Sequence, residues 1–144
     1  MLQPFQNEPY LDFNQPDIYK NQFEAISRAE NMFDKEYPLF IDGKNVRSDR
    51  TSKSYNPSQK DQVVGTFYKA GKHEVDLAMD AALRAFEKWR WVPAKERAIV
   101  LLKAAQLMRQ RKYDINAWMI LETGKSWAEA EADTSEAIDF LEFY

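Results

Sequence analysis

Residues 121–144 read LETGKSWAEAEADTSEAIDFLEFY. Gly124 can take the left-handed conformation that ends a helix, and Lys125 beside it favours the carbonyl end. Ser126 then suits an N-cap, and Glu129, three residues on, completes a capping-box spacing. The stretch therefore predicts two helices joined at a tight corner. The second runs to Tyr144 with no Gly, Asn or Pro to close it. At about 100° per residue, Ala132, Glu136, Phe140 and Phe143 share one stripe, and Ala130, Ala137, Leu141 and Tyr144 share its neighbour. Glu129, Asp133 and Glu142 can reach water elsewhere. Glu136 is thus the acid with small and aromatic residues one turn to either side. If buried, it must be paired, hydrogen-bonded or neutralised. Periodicity alone favours a solvated edge position, because acids are rarely buried.

The same reading extends toward the N-terminus. A helix near Tyr113 to Thr123 carries Ile115, Trp118, Met119 and Leu121. Pro93 opens the helix before it, with Ala98, Leu101, Leu102, Ala105 and Met108 at spacings of three and four. Gly71 precedes a helix from about Lys72 to Trp91, whose buried face is expected to be Val75, Met79, Ala82, Phe86 and Trp89. Ahead of these lies β structure. Leu39 to Ile41 and Lys44 to Val46 flank Asp42-Gly43, a dipeptide suited to a type I′ hairpin turn. Arg47 to Lys53 reads as loop. Ser54 to Ser58 reads as a strand end running into a turn, and Gln62 to Tyr68 as a strand with Gly65 a candidate bulge. From Asn14, with Pro16 and Asp17 in the first turn, a further helix presents Tyr19, Phe23, Ile26, Ala29 or Glu30, and Phe33, and should end before Pro38. Residues 1–13 read as an irregular arm. The expected class is α+β, mostly helical with a small β-hairpin or antiparallel sheet. There is no βαβ alternation of a complete nucleotide-binding sheet.

Composition narrows the function. A length of 144 residues suits one modest domain. A net charge of −3, with Lys and Arg interspersed among acids, gives no case for nucleic acid. Without cysteine there is no disulfide, cysteine metal cluster or cysteine nucleophile within these residues, and His73 alone cannot build a metal site. Four scattered glycines make no phosphate loop. The N-terminal residues MLQPFQNEPYLDF have neither a positive start nor an apolar run, which argues against a signal peptide or membrane span. A cytoplasmic, reducing home is the default. Two local motifs have bland readings that outweigh functional ones. Glu122 to Lys125 could hold an anion, yet a helix C-terminus repels anions. Asn56-Pro57 is more simply a hairpin-initiating turn.

Several pieces in order carry a resemblance: the hairpin LFIDGK, the turn YNPSQ followed by VVG, then VDLAMDAALRAFEKW, PAKERAIVLLKAAQLMRQR and LETGKSWAEAEADTSEAIDFLEFY. From about Leu39 to Tyr144 the chain resembles the N-terminal part of the aldehyde dehydrogenase superfamily. EADTSEAIDFLEFY, with the N-terminal arm and helix, resembles its 1-pyrroline-5-carboxylate dehydrogenase branch. The resemblance implies an α/β parent enzyme, with residues 1–36 as an arm and helix and 37–144 as the N-terminal portion of the NAD-binding domain. It implies a homo-oligomeric enzyme that uses NAD to oxidise L-glutamate γ-semialdehyde to L-glutamate in proline and arginine degradation. In that family a cysteine thiolate attacks the aldehyde, an oxyanion hole holds the charge, hydride passes to NAD+, and a glutamate-activated water releases the product. Those groups lie beyond Tyr144 in the family, so the chain is expected to be an inactive N-terminal fragment without catalytic, cofactor-binding or metal residues. The resemblance also implies that Glu136 lines the aldehyde pocket as a wall or gate, not as the general base. Two other readings compete. One is a stand-alone helical interaction module with exposed aromatic faces. The other is a small domain binding an anionic metabolite near Lys125. The unclosed last helix favours the enzyme fragment over both.

Overall fold

The computed structural model describes residues 4–144, so residues 1–3 of the predicted arm lie outside the described residues. The elements run α1 (Pro16–Glu30), β1 (Glu36–Tyr37), β2 (Leu39–Ile41), β3 (Lys44–Val46), β4 (Thr51–Asn56), β5 (Gln59–Tyr68), α2 (Lys72–Trp89), α3 (Ala94–Gln110), α4 (Lys112–Thr123) and α5 (Trp127–Phe143). This is the expected order of helix, strands and four helices. No helix among the described residues is long and apolar enough to cross a membrane.

The local signals fall where the residue chemistry puts them. Pro16 opens α1 and Pro93 caps α3. Asp42 and Gly43 both have positive φ, 52° and 74°, as a type I′ turn needs. That turn sets the β2–β3 register of Leu39 opposite Val46. Gly124 closes α4 at φ 73°, its N–H donating to Ile120 O at 3.0 Å. Ser126 and Glu129 form the capping box that starts α5: the Glu129 N–H donates to Ser126 Oγ, and Ser126 N–H donates back to Glu129 Oε2 at 2.9 Å.

Several expectations need correction. Arg47 to Lys53 is not all loop, because β4 begins at Thr51 and pairs antiparallel with β5. The sheet is mixed: β1 joins the other edge of β5 in parallel, Glu36 opposite Thr66. α1 ends at Glu30, before Pro38 as expected though short of Phe33, and the chain turns through Asp34 (φ 60°) to reach that edge. At Gly65 the register breaks on one side, so the bulge adjoins it. The glycine serves close approach, since a Cβ there would lie 2.8 Å from the Tyr37 ring. That ring stacks on Phe67 at 5.1 Å.

The buried faces differ most. α1 buries Gln22, Ala25 and Ala29, while Tyr19 and Phe23 remain exposed. Its small residues let it approach α4, where Ala25, Ala29, Ala117 and Leu121 form the core cluster, flanked by Ile26, Phe33, Tyr113 and Trp118. α2 buries none of its residues: Val75, Met79, Phe86 and Trp89 are exposed. An apolar stripe is buried only where another element covers it, and α2 touches little beyond the hairpin, which it meets through Arg84 and Asp42 at 3.2 Å.

Candidate functional site

α5 has two faces of opposite character. Its inward face is polar: Ala130, Glu131, Thr134, Ser135 and Ile138 are buried. Glu131 is 2% exposed and Lys112, on α4, is 5% exposed. Lys112 Nζ sits 2.6 Å from Glu131 Oε1. Asn116, one turn along α4, donates to Glu131 Oε2 at 2.8 Å and accepts from Thr134 Oγ1 at 2.6 Å. Ser135 Oγ donates to Glu131 Oε1 at 3.1 Å. Gln22 of α1 joins the cluster through Tyr113 O at 3.1 Å. No buried side-chain nitrogen or oxygen among the described residues lacks a partner. Glu131 therefore has donors on both carboxylate oxygens and is closed to solvent. Such a carboxylate orders helices and is shut off from a substrate's proton.

The arm adds a second layer. Arg109 Nε meets Glu8 Oε2 at 2.5 Å, and Arg109 Nη1 meets Glu142 Oε1 at 2.6 Å. The Arg109 hydrogen bond holds the Glu142 carboxyl below its ordinary value, while Glu142 first and Glu8 next hold the guanidinium even more firmly protonated. Lys112 also lies 3.3 Å from Glu8 Oε1 and donates to Pro9 O at 2.9 Å.

The outward face carries the sequence-predicted residue. Glu136 is exposed, on the side of α5 away from Thr134 and Ile138, and Phe140 and Phe143 beside it are also exposed. No hydrogen bond or ion pair joins the Glu136 side chain to another of the described residues. It is a carboxylate set on an apolar surface. The other candidates resolve simply. Lys125 pairs with Asp133, one to two turns into α5, so its charge is already matched. Asn56 is buried, accepts from Ser58 N–H at 2.9 Å and donates to Gln62 at 2.7 Å, which makes it a turn residue. Among the described residues there is no group of three His, Cys, Asp or Glu side chains able to hold a metal. A concavity of about 440 Å³ between α1 and α4 is lined by Ala25, Met32, Trp118 and Arg111, among others, and contains no nucleophile.

Sequence reasoning missed Glu131 and its partners. The signal was present: Lys112 and Asn116 share one face of α4, and Glu131, Thr134 and Ser135 share one face of α5, with complementary donors and acceptors. Stripes of apolar residues instead point to the outward side of α5, which carries Glu136.

Residues 45–144 match the aldehyde dehydrogenase family. The chain is 46% identical over 144 residues to 1-pyrroline-5-carboxylate dehydrogenase 1 of Halalkalibacterium halodurans, covering 100% of this chain and 28% of that protein. It is 43% identical, with the same coverage, to the 1-pyrroline-5-carboxylate dehydrogenase of Bacillus pumilus. Among solved structures, 1-pyrroline-5-carboxylate dehydrogenase from Thermus with bound NAD superposes with a TM-score of 0.97 at 44% identity, over 99% of this chain and 28% of that one. The Mycobacterium tuberculosis Δ-pyrroline-5-carboxylate dehydrogenase gives a TM-score of 0.90 at 26% identity, over 99% of this chain and 27% of that one. The chain thus spans 28% of the length of the curated relatives it matches.

Proposed function

The chain belongs to the aldehyde dehydrogenase family, and on that premise we propose that it serves as the N-terminal portion of an enzyme oxidising L-glutamate γ-semialdehyde to L-glutamate. NAD+ is the hydride acceptor, the setting is cytoplasmic proline and arginine degradation, and the enzyme is a homo-oligomer. Residues 1–36 form the arm and first helix, and 37–144 begin the NAD-binding domain. The observation that carries this reading is the similarity over the entire chain, arm included, to 1-pyrroline-5-carboxylate dehydrogenases.

The described residues do not fit the cofactor's phosphates: no glycine-rich turn follows a strand into a helix N-terminus, and the one strand-to-helix junction, at Gly71, has its N–H occupied by Glu74 Oε2 at 2.7 Å. NAD binding and the covalent step therefore fall to the rest of such an enzyme, and the chain alone is inactive. Its own contribution is a wall. The outer face of α5, with Glu136 between Ala132 and Phe140, would shape the aldehyde's approach and exclude water once covered. The exposed apolar face of α2 supports the same reading, because it offers a surface for further chain to bury.

An assay of NADH formation from L-glutamate γ-semialdehyde tests this, run on a protein carrying this segment at full family length and on the 144-residue chain. Turnover is expected for the first and none for the second. Turnover by the chain would overturn its inactivity, and no turnover by the longer protein would overturn the substrate assignment.

A second reading, a helical interaction module, rests on the same exposed α2 and α3 faces. A dehydrogenase activity that requires this segment would exclude it.

A further inference from the structure

The arm lies along α5 over its whole length, in antiparallel order. Phe5 packs edge-on against Phe143 at 5.2 Å. Asn7 Nδ2 donates to Asp139 Oδ2 at 2.8 Å, and the Glu8 N–H donates to Asp139 Oδ1 at 2.7 Å. The Leu11 N–H donates to Glu131 Oε1 at 3.0 Å. Phe13 packs against Trp127, the first residue of α5, at 5.4 Å. The lengths agree. A helix from Trp127 to Phe143 is about 24 Å long at 1.5 Å per residue. Eight extended residue steps from Phe5 to Phe13 cover roughly 26–29 Å.

The path is oblique as well as parallel to the helix. Viewed down α5 at about 100° per residue, Trp127 and Glu131 lie on the side away from Glu136. Asp139 lies only about 60° from Glu136 and one turn beyond it, and Phe143 about 20° from it. The arm therefore starts on the flank of Glu136 and finishes on the inward face. Backbone N–H groups supply two of its anchors, at Asp139 and Glu131, so the grip depends on the arm's path as well as on its side chains. The Arg109 link from Glu8 to Glu142 locks the same turn of the helix.

We propose that residues 5–13 are a splint for α5, and that Asp139 is the positioning residue through which the splint holds Glu136 in the aldehyde pocket. The inference rests on the reading of Glu136 as a pocket residue. A fixed helix rotation matters there because side-chain displacements of about 1 Å at a reacting site can cost up to 100-fold.

The test is steady-state kinetics on the family-length enzyme with Asp139→Ala, Glu136→Ala and the pair combined. Asp139→Ala is expected to lower kcat/KM for L-glutamate γ-semialdehyde about tenfold, mostly through KM, and Asp139→Asn, which keeps the acceptor for the Glu8 N–H, should restore most of it. The double variant should be no worse than Glu136→Ala within about twofold, because both changes remove one function. Should Asp139→Ala not fold, Asn7→Ala, which removes a single donor, takes its place. Unaltered kinetics in Asp139→Ala, a loss confined to kcat, or fully additive effects would overturn the splint. A silent Glu136→Ala would instead remove the pocket reading on which it rests.

Discussion

α2 and α5 are similar in length, and both look amphipathic in sequence, yet they end in opposite situations. α5 turns a polar face inward and satisfies it completely: Lys112, Asn116, Ser135 and the Leu11 N–H all converge on Glu131. α2 turns an apolar face outward, with Met79 55% exposed. The contrast teaches that hydrophobicity does not by itself say which face is inside. What decides is whether a partner of the right chemistry lies alongside. For α5 the partners are α4, α3 and the arm. For α2, among the described residues, there is little beyond the edge of a two-stranded hairpin and the α3 side chains near Trp89.

The contrast can be attacked first at its polar end. Lys112→Ala leaves Glu131 and Glu8 buried without their shared cation. Breaking one partner of a buried pair costs about 3–5 kcal/mol, and urea unfolding of the chain should show a loss of that order. A drop below about 1 kcal/mol would mean the cluster is wetter than its burial indicates. Next comes the corner between α4 and α5. Gly124→Ala forces a side chain onto φ 73° and places a Cβ 2.9 Å from Pro57 Cγ. An expected loss of about 1–2 kcal/mol would register in the thermal midpoint.

Acid loosens the same cluster from the Glu142 side. The Glu142 carboxyl titrates below the ordinary 4.5 in the folded chain. Its contribution is therefore fully present above that value and is lost as pH falls through the depressed folded value. Stability measured against pH should decline below 4.5, and Glu142→Gln should flatten that part of the decline. An identical profile in the variant would remove Glu142 from the account. The smallest effect belongs to α2. Met79→Ala should alter the stability of the chain by no more than about 0.5 kcal/mol, as for other surface positions. If further chain covers this face, the same substitution in the longer protein should cost about 2–4 kcal/mol.

The same contrast explains what could be read in advance. Boundaries set by local chemistry were legible, because their cause lies within a few residues: Pro16, Asp42-Gly43, Pro93, Gly124 and the Ser126–Glu129 box. Burial was not legible in the same way. Tyr19 and Phe23 recur at helical spacing, but Gln22 is the residue that faces α4, since Tyr113 O and Asn116 meet it there. The α2 stripe obeys the period and still meets solvent. The parallel pairing of Glu36 and Tyr37 with β5 joins residues some 30 positions apart in the sequence, which no local pattern encodes. Glu136 stands out in the sequence as an odd acid in an apolar stripe, and the pocket role proposed for it rests on resemblance, not on geometry. Glu131 escaped because an acid followed by Thr and Ser looks like a solvated edge until its partners on α4 are placed beside it.

The most direct measurement is kcat/KM for L-glutamate γ-semialdehyde in the family-length enzyme with and without Glu136→Ala, alongside the unfolding midpoint of each. A fall of about ten- to a hundredfold with an unchanged midpoint is the expected result, because Glu136 is exposed on α5 and its side chain is bonded to none of the described residues. Unchanged kinetics, or a loss that follows the midpoint, would contradict the account.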